Sequence, residues 1–253
     1  MDDPAQPGPG RAQPGRGAGR RRGRCGGQCR PGGRVRAPPQ VLPQVTAADH
    51  GGLTVYRVWH PSRHFPTADA LRTYGPIFRF DPHRERRLPI DDPAHPPVWY
   101  GAEAAETAVR ETLDRTRPAD HPRVVEVCVR HRLAALRLHS PTELVDLTAH
   151  AGDLGCDDDL GDRAEVDYRD TRAWARAVHA QLGLDGLRYH CAYHRDADGG
   201  RAGVNVCLWN PDRPPEVVSD VAATSPGAWQ RLRTMLVRRG AAPQVVHGCR
   251  RCR

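Results

Sequence analysis

The sequence predicts an α+β fold, a compact mixed sheet with flanking helices between disordered tails. Three observations predict it. Strand-like runs outnumber helical ones. They do not alternate with helices in the order of a doubly wound sheet. Two segments carry a helical period strong enough to bury one face each. At 253 residues, 38% of them hydrophobic, the chain holds one sizeable core. An aromatic share of 6%, with 25 Gly and 24 Pro, puts much of the rest in loops.

Taken in order, "LTVYRVWH" from Leu53 alternates as a strand. "IFRFDP" is a second short strand ending at Pro82, and "PPVWYGA" a third reaching Gly101. "AEAAETAVRETLDRT" is a helix rich in Ala and Glu, with Glu106 and Arg110 at i,i+4. "PRVVEVCVR" is a buried strand, and "LAALRLHSPTELVDLT" gives two more around Ser140-Pro141. "YRDTRAWARAVHAQLG" is an amphipathic helix with Trp174, Ala175, Val178 and Leu182 on one face and Gly183 as its stop. "DGLRYHCAYH" and "GVNVCLWN" are strands joined by the turn "RDADGG". Past Pro211 come a Pro-rich stretch, a basic helix "GAWQRLRTMLVRR" and a Cys-containing end. The expected organisation is therefore a disordered Arg/Gly/Pro-rich tail over 1–45 and a folded domain over 46–213. Residues 214–253 are expected as a linker, a short helix and a tail.

The formal net charge is +8, and nine arginines against Asp2 and Asp3 in residues 1–45 supply nearly all of it. The folded part is close to neutral, which argues against a basic nucleic-acid module. The arm is either a non-specific, salt-sensitive contact for nucleic acid or a dispensable extension. There is no lysine, so all 38 basic residues are arginine. That bias makes any single arginine weak evidence of functional placement. No apolar run approaches the roughly 18 residues of a membrane helix, and no apolar core follows the first arginines. A cytoplasmic protein without a membrane partner is expected.

Cys128 and Cys207 sit in apolar runs and are expected as small buried hydrophobes. Cys249 and Cys252 have metal-ligand spacing, and Cys25 and Cys29 lie in the arm. Neither end has the turn and core pattern of a zinc module, so no metal is expected.

The residues with chemistry are few. Arg57 and Arg79 sit among apolar neighbours, where an arginine needs water or an anionic partner. Glu111 is either one more exposed helix glutamate or a carboxylate aimed at a site. Tyr100 precedes Gly101 and either packs in the core or lines a pocket. Cys191 is a nucleophile, a ligand, a core thiol or a substitute for another residue.

In order, "VYRVWH", "FRFDP", "WYGAEAAETAVRE", "LVDLT", "TRAWARAVHAQ" and "DGLRYHCAYH…GVNVCLWN" resemble a RES domain over roughly Val55 to Asn210. "ETAVRE" is similar to that family's "eTAlaE", and "DGLRYHC" to its "dGirYpS". The resemblance implies a fold like that of the ADP-ribosyltransferases. It implies a bacterial toxin that consumes NAD+ by hydrolysis or phosphorolysis, needs no metal or other cofactor, and is covered by an Xre-type helix-turn-helix antitoxin. It implies that Arg57 and Arg79 clamp the diphosphate, that Tyr100 meets the nicotinamide end, and that Glu111 acts at the ribose. Cys191 falls at the family's serine, and Phe78 where the family commonly has glycine. Those two departures leave open a catalytically impaired RES fold used for binding. A third reading transfers ADP-ribose to a protein.

Overall fold

The computed structural model describes residues 36–115, 123–157, 160–162, 168–196 and 198–249. Its first half holds strands β1 (Ala48–Asp49), β2 (Thr54–Trp59), β3 (Tyr74–Gly75), β4 (Ile90–Asp91) and β5 (Val98–Ala102), then helix α1 (Ala105–Thr112). Strands β6 (Arg123–Cys128), β7 (Arg132–Arg137) and β8 (Glu143–Asp146) lead into helices α2 (Leu147–Leu154) and α3 (Arg169–Leu182). The chain continues through β9 (Gly186–His190), β10 (Val204–Trp209), β11 (Glu216–Ala222), α4 (Pro226–Val237) and β12 (Ala241–Val246).

Eight strands form one sheet in the order β1-β8-β9-β10-β5-β2-β7-β11. All its pairs are antiparallel except β8–β9, which α2 and α3 connect as a crossover. The fold is α+β, with a mixed sheet and flanking helices. Each helix buries the face its sequence marks. Trp174, Ala175 and Val178 of α3 join Leu187, Cys207 and Trp209 of the sheet. Gly183 ends α3 in the left-handed conformation at φ 64°, which a residue with a Cβ adopts only at a cost. Ala108 and Val109 of α1 pack with Leu232 and Leu236 of α4. On the opposite face, Val55, Trp99, Leu136 and Val206 are covered by Phe65, Ala68 and Leu71 of the β2–β3 connection.

Four expectations change. "IFRFDP" is a turn, not a strand. The Asp81 carboxylate accepts the backbone N–H groups of Ile77 and Phe78, at 2.6 and 2.9 Å, which a strand would give to a neighbour. The end of the arm is ordered from Arg36. Leu42 is 4% exposed and its N–H donates to Gln181 on α3, while the Trp174 indole donates to the Arg36 carbonyl at 2.8 Å. The rest of the arm, and its expected contact with nucleic acid, lies outside the described residues. The strand of "PRVVEVCVR" is only half-buried, and β6 pairs in parallel with β12 rather than joining the main sheet. Finally, 214–253 is no linker. β11 is the edge of the large sheet beside β7, and α4 supplies core residues. Residues Val35–Arg253 form one compact unit.

Because Leu232 is 1% exposed, Leu232→Ala should destabilise the whole chain by about 2–5 kcal/mol in urea unfolding, with a single transition. A linker helix would leave the midpoint unchanged.

Candidate functional site

The sheet has one weak seam. β2 and β5 share the single register pair Tyr56↔Ala102, whereas β2 and β7 stay paired from Thr54 to Trp59. Gly101 sits at this seam, where a Cβ would collide with the Trp99 ring and lie 3.2 Å from the Tyr56 carbonyl oxygen. Beyond it the strands part, and a cavity of about 530 Å³ opens between them, within the span of small-molecule sites. Residues from opposite faces of the sheet meet there: Arg57 from one, Tyr100 and Asn205 from the other. Arg79, Glu111 and Tyr189 complete the lining that concerns the chemistry.

Arg57 is buried. It donates to the Ala68 carbonyl at 2.7 Å and lies over the rings of Phe65 and Trp99 at 5.0 and 5.5 Å. Burial, and then the charge of Arg72, push its guanidinium down to about 9; Asp69 offsets this only in part. A guanidinium nonetheless keeps its proton near neutral pH, so the site holds a buried cation. Arg79 is 6% exposed, donates to the Gly161 carbonyl and lies over the Tyr168 ring at 5.4 Å. Among the described residues neither arginine makes an ion pair with a carboxylate.

The turn that carries Arg79 hangs on Asp81. Its carboxylate is fully buried and also accepts from Arg72 at 2.6 Å and from the Tyr100 hydroxyl at 2.9 Å. Burial alone would raise this carboxyl, but Arg72 and the two turn amides outweigh it and hold it below the usual range. Tyr100 is thereby oriented. Burial first, then Asp81, keep its phenol protonated far above its ordinary value. The Phe78 ring packs edge-on against Tyr100 at 5.2 Å, and so lies against Tyr100 within the cavity lining beside Arg79.

Helical spacing aims α1 at the cavity: Ala108, Glu111 and Thr112, at i, i+3 and i+4, all line it, and Arg115 just past the helix does too. Glu111 Oε2 accepts from Asn205 Nδ2 at 3.1 Å and from the Cys191 thiol at 3.2 Å. Cys191 follows β9 directly and is fully buried behind Glu111 rather than in the lining. Burial, then the neighbouring carboxylate, push its thiol up to about 12. The sulfur is therefore a protonated donor near neutral pH, not a thiolate nucleophile.

All five residues singled out from the sequence thus converge, with Arg57, Arg79, Tyr100 and Glu111 lining the cavity and Cys191 just behind it. Sequence reasoning missed Asn205, Asp81 and Tyr189. Asn205 had a visible signal, a polar side chain inside the apolar run "GVNVCLWN". Asp81 and Tyr189 had none that set them apart from a turn acid and a core tyrosine.

The RES domain family model matches residues 54–230, most of the chain and every residue of the site. The chain belongs to the RES domain family. No curated protein matches this RES-domain chain. Among solved structures it is similar to one chain of the M. tuberculosis MbcT–MbcA toxin–antitoxin complex. The two share 18% identity at a TM-score of 0.48, over 74% of this chain and 92% of that one.

Asp81→Asn should destabilise the protein by about 3–5 kcal/mol at pH 7, because it leaves Arg72 buried without its charge partner. A depressed folded pKa gives stability that is present above the unfolded carboxylate value, about 3.9, and lost as pH falls through the folded value. Wild type and Asp81→Asn should therefore begin to converge in stability as pH falls below about 3.9, and meet only below the folded value, in urea titrations at several pH values.

Proposed function

We propose that this RES-domain protein consumes NAD+ by cleaving the nicotinamide–ribose bond, with water or phosphate as acceptor, and acts as a toxin held by a helix-turn-helix antitoxin of the Xre type. The observation that carries the activity is the cavity's charge pattern: two buried arginines that make no ion pair with a carboxylate among the described residues, and one glutamate held by two donors. Family membership supports the toxin and its antitoxin.

The chemistry follows from that pattern. A diphosphate offers anionic oxygens that Arg57 and Arg79 can take through charge-assisted hydrogen bonds. Nicotinamide leaves as a neutral base, and positive charge grows on the ribose, as in glycoside cleavage. The Glu111 carboxylate beside the ribose stabilises that charge and binds a hydroxyl or orients the acceptor. Asn205 and Cys191 donate to Oε2 and fix the carboxylate's direction. The aromatic rings of Tyr100 and Phe78 give the nicotinamide an apolar wall. No metal enters this scheme.

Cys191 favours a second reading. A thiol is a weaker donor than the hydroxyl of serine, so its bond to Glu111 positions the carboxylate less firmly. On that reading the chain is an impaired enzyme that binds ligand in a RES fold.

The test is NAD+ loss by the full chain, with and without phosphate, with products resolved by chromatography. Wild type should consume NAD+, and Glu111→Gln should lose at least about 100-fold of the rate. Cys191→Ser should raise turnover by up to about tenfold, the worth of one ordinary hydrogen bond. A silent wild type with an active Cys191→Ser would select the impaired reading. Silence from both would reject NAD+ consumption.

A further inference from the structure

The fold brings together two thiols that the sequence keeps far apart. Cys128 ends β6, and Cys249 follows β12, the parallel neighbour in which Val246 is the register partner of Cys128. Their Sγ atoms and a ring nitrogen of His60, just past β2, all lie within 4.8 Å of one another. Both cysteines are thiols in the structure, 0% and 9% exposed. We propose that Cys128 and Cys249 form a redox-modification site, which a peroxide converts to a disulfide.

A disulfide needs its two sulfurs about 2.0 Å apart. From 4.8 Å the gap closes by about 2.8 Å at most, within the swing of a sulfur between two χ1 rotamers. The turn after β6 fixes one side. The His131 N–H donates to the Cys128 carbonyl at 2.8 Å, and the Cys128 N–H donates to His131 Nδ1 at 3.0 Å. The Val129 N–H donates to the Val246 carbonyl at 3.0 Å, which holds the end of β12 against that turn. Cys249 lies past β12 and outside the ladder, so its side chain is the one that moves.

Cys249 is the sulfur a small oxidant reaches, because Cys128 has no exposure. Its thiolate attacks one oxygen of hydrogen peroxide. The S–O bond forms, the O–O bond breaks, and hydroxide leaves and is protonated to water, giving a sulfenic acid. The Cys128 thiolate then attacks that sulfur. The S–S bond forms, the S–O bond breaks, and a second hydroxide leaves as water. The two thiols lose two electrons, the peroxide gains them, and the two thiol protons end in the two waters. The neighbours suit both steps. His60 Nδ1 lies 3.0 Å from the Pro61 carbonyl oxygen, which can only accept, so Nδ1 holds the proton and Nε2 is the basic nitrogen. The imidazole takes a thiol proton and returns it to the leaving hydroxide. The backbone N–H of Arg130 donates to Cys128 Sγ at 3.5 Å, which favours that thiolate. His131 packs edge-on to His60, with ring centroids 5.4 Å apart, and holds that ring in place.

A peroxide is small enough for a sulfur with 9% exposure, whereas a bulky disulfide oxidant is not. The bridge ties the segment after β12 to the end of β6, beside His60, which lines the cavity. The inference is independent of what the cavity binds, and its test reads sulfur rather than turnover.

Trypsin separates the pair. Cleavage after Arg123, Arg130, Arg239 and Arg250 puts Cys128 in peptide 124–130 and Cys249 in peptide 240–250, each with no other cysteine. The reduced full chain is treated with hydrogen peroxide beside a metal chelator, alkylated, digested and read by mass spectrometry without reduction. The two peptides should appear joined, and the joined form should hold most of the Cys249 recovered. The bridged chain should melt at a higher temperature than the reduced one. Cys249→Ser, which lies outside every helix and strand, should fold by circular dichroism and lose that shift. In urea the same treatment should spread Cys249 over several partners. Peptide 240–250 left unbridged in the folded chain, or bridged mainly to another cysteine, would overturn the proposal. So would equal yields of the Cys128–Cys249 pair with and without urea, or a melting shift that Cys249→Ser retains.

Discussion

Asp81 has no exposure to water, and its two carboxylate oxygens accept four hydrogen bonds, from Arg72, Tyr100 and the amides of Ile77 and Phe78. Removing a carboxylate from water is costly unless a counter-charge and donors replace the lost hydration. Here they do, and the requirement has consequences. It bends residues 77–81 into a turn, which places Arg79 against Tyr168 and the Gly161 carbonyl. It fixes the Tyr100 hydroxyl and with it the ring that lines the cavity. It also keeps Arg72 neutralised, whose charge is one cause of the pressure on Arg57. The site's second anchor is smaller. Asn205 and Cys191 hold Glu111 from behind, and the helical spacing of α1 points it forward.

These two anchors work because the sheet lets them meet. A continuous β2–β5 ladder would keep Arg57 and Glu111 on opposite sides of a closed wall. The single pair Tyr56↔Ala102 holds the strands together at one point and lets them part beyond it. The cavity thus sits inside the sheet at the seam with the fewest paired residues. The stable pairs β2–β7 and β5–β10 flank it.

Much of this was legible in the sequence, and the exceptions share a cause. The strands of "LTVYRVWH" and "GVNVCLWN" and the helix with Trp174 and Val178 were visible because local periodicity and local burial agree there. "IFRFDP" has the alternation of a strand, but periodicity cannot register a side-chain carboxylate that takes the backbone's hydrogen bonds. β12 was hidden because its partner β6 lies more than 100 residues away and a proline interrupts its run. The five site residues were found because an ordered set of short motifs carries them. Asp81 and Asn205, which hold two of those five in place, become apparent only when the partners they bond are seen together.

The central claim is that the seam cavity is built for a diphosphate met by buried guanidinium groups. Calorimetric titration of the wild-type chain with ADP-ribose and, separately, with adenosine tests it without any variant. The account predicts binding of ADP-ribose that weakens with salt and is at least about tenfold tighter than that of adenosine, the worth of a charge-assisted contact. Equal binding of the two, or none by ADP-ribose, would contradict it.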